Sequence, residues 1–435
     1  MLIEFSVANY KSIKDKVTLS MVASSEKEHP ENIFEVKDKK IKLLKSVAIY
    51  GANASGKSNL IEALNFMSFF VIRSATKFQK GDKIPVEPFR FDFEYLTKPS
   101  EFEIAFIKDN ERYIYGFTAD NQMIHEEWLT ATRTTKPRGL FRREIDSSNE
   151  INIHFGKSWI GEGKSLKEHT RENALFLSVA MQYNNMTVKP VFEWFMNNLG
   201  MLAPERLETK QFIEELALDY TMRVCQNDEE MKSKAAEMLR NADVGIVDFE
   251  IIELPFAIKL KNNGKNIQGP ISETEIIHDI KSIYLHRKVR TRHKISLDND
   301  VFDIDFFLDN ESDGTRQFFS LIGPWLYTLR NGSCLVIDEL DTSLHPLLTR
   351  YLIKLVHERK INHTNPQLIF TTHDCGLLDS DLFRRDQIWF TEKNETGATD
   401  LFSLWDYKNV RKENYRKNYL HGKYGAIPFI GEFKF

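Results

Sequence analysis

Two short stretches carry most of the chemistry this sequence can do. Gly51-Ala52-Asn53-Ala54-Ser55-Gly56-Lys57-Ser58 sets two glycines around a short loop and closes it with a lysine and a hydroxyl. Such a loop can curl so that several backbone N–H groups, together with Asn53, Ala54, Ser55 and the following Asn59, face phosphate oxygens. The helix start behind it adds a favourable dipole. Lys57 can reach terminal phosphates and Ser58 can place its hydroxyl on Mg²⁺. The second stretch, Ser333 to Glu339, is an apolar strand that ends in two carboxylates. Alone these would read as readily as solvated strand-end residues. Beside a phosphate loop, Asp338 can hold Mg²⁺ through water and Glu339 can polarise an attacking water.

Three further pieces fall in the same half of the chain. Leu340-Asp341-Thr342-Ser343 follows the carboxylates directly. The apolar strand Gln367 to Thr372 ends in His373, a residue that can contact a γ-phosphate and report its presence. Ser312-Asp313-Gly314-Thr315 precedes an apolar helix, Phe318 to Leu329. Ser312 and Gly314 could present a hydroxyl and backbone N–H to a phosphate, or simply cap that helix. Cys225, Cys334 and Cys375 form no disulfide framework, and with the histidines they show no ligand-spaced cluster, so no zinc is expected.

The elements that must position these residues are legible in outline. Leu44 to Tyr50 reads as a buried strand entering the glycine loop. Asn59 to Phe70 reads as a helix with Leu60, Ala63, Leu64 and Met67 on one face. Leu2 to Val7 and Val17 to Met21 read as strands, and 24–42 as loop or short elements. Three antiparallel strands lie between Phe89 and Leu129, with Arg133 to Asn152 poorly patterned. Leu166 to Arg240 is mostly helical. Strands are expected at 246–258 and 282–288, and α/β alternation from Ile304 onward. This divides the chain into an N-terminal lobe with the phosphate loop (1–160), a helical insert (161–245) and a C-terminal lobe with the remaining motifs (246–435). The fold class is α/β, of the P-loop NTPase kind.

Composition narrows the alternatives. The 435 residues are 42% hydrophobic and 28% charged, which excludes a fibrous or wholly disordered chain. The first residues lack the pattern of a signal peptide, and the longest apolar run, Phe66 to Val71, falls far short of the ~18 residues of a membrane span. A cytoplasmic protein away from membranes is expected. A net charge of −4 argues mildly against a large phosphate-binding surface. Two local basic clusters keep nucleic acid open as a partner. One runs through Lys281, His286, Arg287, Lys288, Arg290, Arg292, His293 and Lys294, and is otherwise a solvated loop. The other joins Lys408, Arg411, Lys412, Arg416, Lys417 and Lys423 to Tyr415, Tyr419 and Tyr424. It could stack and clamp a single strand, or be the outer face of a packed tail. Tyr10 is a weak candidate for an adenine contact.

Taken together, the motifs resemble the ABC-type ATPases of the SMC- and RecF-like branch. Gly51–Ser58 resembles Walker A, and Leu335–Glu339 Walker B with its catalytic glutamate. Asp341 with Ser343 is similar to the D-loop and His373 to the switch histidine. Ser312–Thr315 resembles a degenerate signature in which Asp313 replaces the usual glycine. The opening Phe5-Ser6-Val7-Ala8-Asn9-Tyr10-Lys11-Ser12-Ile13 is similar to that branch's first strand and turn. Within it the chain resembles the AAA-like ATPases of anti-phage and abortive-infection loci, of the RloA, AbiL and Septu type, partly through the tail Tyr415 to Pro428.

The resemblance implies ATP and Mg²⁺ as ligands and hydrolysis as the activity, with Lys57, Glu339 and His373 catalytic. Ser58 and Asp338 would hold the metal, with Gln182 a candidate for the glutamine that usually joins them. It implies a homodimer or higher oligomer in which one protomer's loop is capped by the other's Ser312–Gly314. It implies an effector partner, a Toprim or HNH nuclease or another toxin. The insert is too short for an SMC-like arm, and no acidic cluster follows His373, so no nuclease activity is expected in this polypeptide. Two other functions stay in view: a RecF-like repair ATPase that binds DNA directly, and a nucleotide-gated scaffold with slow turnover.

Overall fold

A computed structural model of the chain describes residues 1–36, 40–134, 136–146, 150–203, 210–253, 260–262, 265–267, 287–297, 300–359, 362–408, 413–428 and 431. They form two compact units. Met1–Thr209, Thr328–Thr342 and Thr349–Phe435 make the first, and Lys210–Tyr327 with Ser343–Leu348 the second.

The chain begins with β1 (Leu2–Ala8) and β2 (Val17–Ser20), a hairpin of β3 (Ile33–Val36) and β4 (Ile41–Leu44), then β5 (Ser46–Gly51) and α1 (Lys57–Lys77). Five strands follow: β6 (Ser100–Lys108), β7 (Glu111–Ala119), β8 (Ile124–Thr132), β9 (Arg138–Ile145) and β10 (Ile151–Phe155). Next come α2 (Gly163–Glu168), α3 (Phe176–Gln182), α4 (Lys189–Asn197) and β11 (Leu199–Leu202). Helices α5 (Lys210–Asn227) and α6 (Glu229–Asn241) lead to β12 (Ile246–Glu253), β13 (Leu260–Asn262), β14 (Lys265–Ile267), β15 (Arg287–Leu297), β16 (Asp300–Phe307) and α7 (Asp313–Asn331). The last part holds β17 (Cys334–Ile337), α8 (Pro346–His357), β18 (Gln367–Thr371), β19 (Ile388–Lys393), β20 (Thr399–Ser403) and α9 (Tyr415–Leu420). The fold is thus mixed α/β, with an antiparallel N-terminal sheet and a helical segment between 163 and 241.

In the first unit one sheet has the order β11-β17-β18-β5-β19-β20. Its first five strands are parallel neighbours, and only the edge strand β20 runs antiparallel. Every residue of β5, β17 and β18 is buried. Strands covered on both faces read as continuous apolar runs rather than alternating ones. Parallel neighbours end on the same side, so Gly51, Asp338 and Thr372 come to one edge of the sheet, the edge where α/β sheets place ligands.

The other sheet is antiparallel, in the order β10-β9-β8-β7-β6-β1-β2. Helix α1 has 21 residues, a rod of about 31 Å. Its Leu60, Ile61, Leu64, Met67, Phe70 and Val71 share one buried cluster with Val47 and Ile49 of β5 and with Phe102, Ile104 and Phe117 of β6 and β7. The mouth of the phosphate loop is therefore fixed to a rigid rod.

The short elements expected within 24–42 are β3 and the first half of β4, paired as a hairpin. Two local expectations change. The meander runs on through β9 and β10, where the pattern looked poor because Arg143 points inward. It is fully buried, 3.7 Å from the buried Glu127, and its guanidinium donates to the carbonyls of Ala174 (2.6 Å), Arg171 and Glu172. Glu127 in turn accepts from Phe176 N and Leu177 N at the start of α3. The helical stretch also hides β11, four residues that pair with β17.

In the second unit β12, β15 and β16 form an antiparallel sheet. Helix α6 starts on Asp228, whose Oδ1 accepts from the backbone N–H of Glu230 and Met231. It buries Met231, Ala235, Met238 and Leu239 at helical spacing. Among the described residues no helix is long and apolar enough to cross a membrane.

Candidate nucleotide site

The loop between β5 and α1 is held from beneath by hydroxyls that sit far away in the sequence. Gly51 allows the chain of β19 to approach: a Cβ there would lie 2.5 Å from the Thr391 carbonyl. Gly56 has φ of 109°, a left-handed conformation, and a Cβ there would run into the Thr399 side chain. Ser55 Oγ meets Thr391 Oγ1 at 2.6 Å. Thr399 Oγ1 donates to the Ser55 carbonyl (2.9 Å) and meets Ser12 Oγ at 2.7 Å. Asn59 Nδ2 donates to the same Ser12 Oγ at 2.6 Å, and Thr399 N donates to the Ser12 carbonyl. Asn53 and Ala54 stay exposed on the crest of the loop, and Ala54 has φ of 62°.

Lys57 is buried, and its Nζ donates to the carbonyls of Gly51 (2.9 Å) and Ala52 (3.1 Å). Burial lowers its pKa, while the carboxylates of Asp338, Glu339 and Asp341 act in the opposite direction. One cation and three carboxylates thus sit within electrostatic reach at the shared edge of β5 and β17. Ser58, half-buried, opens α1 beside them.

Thr371, the last residue of β18, organises the acidic edge. Its Oγ1 donates to Asp338 Oδ1 at 2.6 Å and accepts from Glu339 N at 2.7 Å. Its carbonyl accepts from Leu340 N. Glu339 has φ of 54°, uncommon for a residue with a Cβ. Strained backbone of this kind persists only where its surroundings hold it, and it concentrates at functional positions. Here Thr342 does so, donating its Oγ1 to Glu339 Oε2 (3.2 Å) and its N–H to the Glu339 carbonyl. His373 is exposed, and its N–H reaches the Asp341 carboxylate at 3.2 and 3.3 Å. The structure therefore brings Lys57, Asp338, Glu339, Asp341 and His373 together. Nothing in the sequence singled out Thr391, Thr399 or Thr371, while Ser12 was visible only as part of the opening motif.

In the second unit, Ser312 caps α7: its Oγ accepts from Thr315 N at 3.1 Å. A Cβ on Gly314 would sit 2.7 Å from the Ser343 carbonyl, so that glycine permits a close approach of the 343 turn. Gln182 lies exposed at the end of α3. The preceding turn of α3 bonds to the far half of α1, through Ser178 to Val71 (2.5 Å) and Ser74 (2.9 Å).

Other candidates take different places. Tyr10 is buried, stacked on Phe66 at 6.1 Å and edge-on to Phe102 at 5.5 Å, so it cannot meet a base. Tyr415, Tyr419 and Tyr424 are buried too. Tyr419 stacks on Phe390 at 5.5 Å and its hydroxyl donates to the Ala426 carbonyl, so these rings pack the tail on the core and clamp no strand. Arg411 and Lys412 lie outside the described residues. The first basic cluster is a strand, β15, rather than a loop. Lys288 pairs with Asp309, Arg290 with Glu250 and Asp305, Arg292 with Asp303 and Asp305, and His293 with Glu311. Of the strand expected at 282–288, Arg287 and Lys288 open β15, and 282–286 lie outside the described residues, as does Lys281.

Among the described residues no group of three His, Cys, Asp or Glu side chains is placed to hold a metal alone. The set at the loop suits Mg²⁺ instead, which takes one or two protein oxygens and completes its shell with phosphates and water. The glycines that admit no Cβ and the buried Lys57 fit the phosphates themselves.

No curated protein matches the chain. Among solved structures, the SMC head bound to the C-winged helix domain of ScpA is similar over 92% of this chain and 97% of that one, with 13% identity and a TM-score of 0.42. A family model described as "AAA domain, putative AbiEii toxin, Type IV TA system" matches residues 46–153 and 233–379, more than half of the chain. Those stretches contain β5, the phosphate loop, α1, the acidic edge and His373, and the chain belongs to this family of AAA domains.

Proposed function

We propose that the protein is a Mg²⁺-dependent ATPase that closes as a homodimer around ATP and regulates an effector, a nuclease or another toxin, in anti-phage defence. The observation that carries the enzymatic part is the cluster at one sheet edge. Lys57 is buried with three carboxylates acting on its charge, and Glu339 is held in a left-handed backbone by Thr342 and Thr371. Lys57 and the loop N–H groups bind and orient the phosphates. Glu339 takes a proton from the attacking water, and His373 faces the terminal phosphate. Ser58 and Asp338 would hold Mg²⁺, which when bound would neutralise charge on the phosphate oxygens.

Ser312 and Gly314 would cap the nucleotide held by the other protomer, so a two-fold pair completes two sites at once. The wording of the family, a putative toxin of a type IV toxin–antitoxin system, supports a role beside a second polypeptide. The reading in which this chain itself clamps DNA is weakened, because the β15 cations are matched by carboxylates and the tail tyrosines are buried.

The test is purification from the native locus in ATP and Mg²⁺, with the mass and composition of the complex measured. A stable complex with a nuclease-like or toxin-like second protein is expected. A lone homodimer that forms only with ATP, and whose turnover rises with DNA, would overturn the effector reading.

A further inference from the structure

With Tyr10 buried, the base of a bound nucleotide needs another wall, and the loop between α1 and β6 offers one. Phe91 is 73% exposed and Phe93 90% exposed, far beyond what single large aromatics ordinarily show. Phe91 is nevertheless not loose. Three consecutive atoms of its ring lie 3.3, 3.5 and 3.9 Å from where Gly397 would carry a Cβ, and Gly397 has φ of 76°. A Cβ at that turn would sit in tight contact with the ring, and the positive φ itself favours glycine. Phe91 also meets the buried Phe89 edge-on at 5.7 Å. The loop is pinned on both sides of Phe91 to the β1–β2 turn that carries Ser12. Lys11 N donates to the Glu87 carbonyl, Asn9 Oδ1 accepts from Phe89 N at 2.9 Å, and Lys14 pairs with Asp92 at 2.8 Å.

This places the ring beside the phosphate loop by a short covalent path. Gly397 lies in the β19–β20 turn two residues before Thr399, a span of at most about 7 Å of chain, and Thr399 is bonded to Ser55 and pressed on Gly56. A ribose and its first phosphate cover such a span. We propose that Phe91 is the aromatic wall on which the adenine of ATP stacks, with Gly397 kept small so that the ring can lie against the β19–β20 turn and leave its other surface to the base. The inference rests on the nucleotide reading of the phosphate loop. Stacking on an aromatic ring accepts any base, so Phe91 adds affinity rather than choice of base.

The experiment is calorimetric titration of the whole protein, Phe91→Ala and Phe91→Trp with ATP and with tripolyphosphate, each in Mg²⁺. Phe91→Ala is expected to weaken ATP by about 5- to 100-fold and to leave tripolyphosphate binding unchanged, while Phe91→Trp keeps ATP at least at the parent level. ATP binding unchanged in Phe91→Ala overturns the stacking role and leaves the phosphate-loop reading standing. An equal loss of ATP and tripolyphosphate in Phe91→Ala overturns it as well, since the loop itself would then have moved. A parent protein that binds neither compound overturns the phosphate-loop reading and this inference with it.

Discussion

Lys57 and strand β15 treat positive charge in opposite ways. Lys57 is buried, rests on two carbonyls of its own loop, and among the described residues forms no ion pair, although three carboxylates act on it. The cations of β15 are partly exposed, and the acids of β12, β16 and the following turn meet them in register. A buried cation costs free energy unless something compensates it, and exposed pairs contribute little either way. The first arrangement is the signature of a ligand site, the second of a solvated sheet. Density of Lys and Arg along the chain points to the wrong one of the two.

The sharpest way to break this comparison is to remove Lys57. Lys57→Ala should lower ATP turnover by at least about 100-fold while leaving the melting temperature in place, as read by a coupled phosphate assay and calorimetry. Next comes the hydroxyl that aligns the carboxylates. Thr371→Val should lower turnover by about 10-fold, and Thr371→Ser should restore it, because both bonds at Asp338 and Glu339 run through Oγ1 and a loss of this kind costs about 1–2 kcal/mol.

A third case is a buried base with its partners inside the chain. Burial pushes His357 down to about 3 from an ordinary 6.5, and its Nε2 meets Ser46 Oγ at 2.7 Å. Between those values the unfolded chain binds a proton that the folded chain refuses. Stability should therefore fall as pH drops from 6.5 toward 3, with a slope of up to about 1.4 kcal/mol per unit from this group, and be unaffected by it above neutrality. His357→Leu should remove that part of the slope in a series of melting curves. The smallest effect belongs to β15: Arg290→Ala and Arg292→Ala should leave melting temperature, ATP turnover and DNA retention unchanged. Loss of DNA binding in either variant would break the comparison from the other side.

The parts of the site that sequence alone reveals are those in which residue types at short fixed spacing do one job. Gly51–Ser58 and Asp338–Glu339 are of this kind, and so are the buried strand β5 and the apolar face of α1. What stays hidden is supplied from a distance by common residues. Thr391 and Thr399 reach Ser55 from the far end of the chain and Ser12 braces Thr399 from the near end, and no local pattern marks a threonine as the support of a loop. Arg143 disguises β9 as surface because its partners are the start of α3 and Glu127. The β15 cations resemble a free patch until the register with β16 shows Asp303 and Asp305 opposite. The tail tyrosines, interleaved with cations, imitate a clamp because alternation in sequence says nothing about which side is covered.

In the proposed reaction Glu339 activates the water that attacks ATP held by the Lys57 loop. The direct measurement is single turnover of pre-bound ATP in Mg²⁺ by the parent protein and by Glu339→Gln, with bound nucleotide counted in both. The account predicts equal ATP bound and hydrolysis slowed by about 100-fold or more in the variant. Equal rates in the two proteins would contradict it.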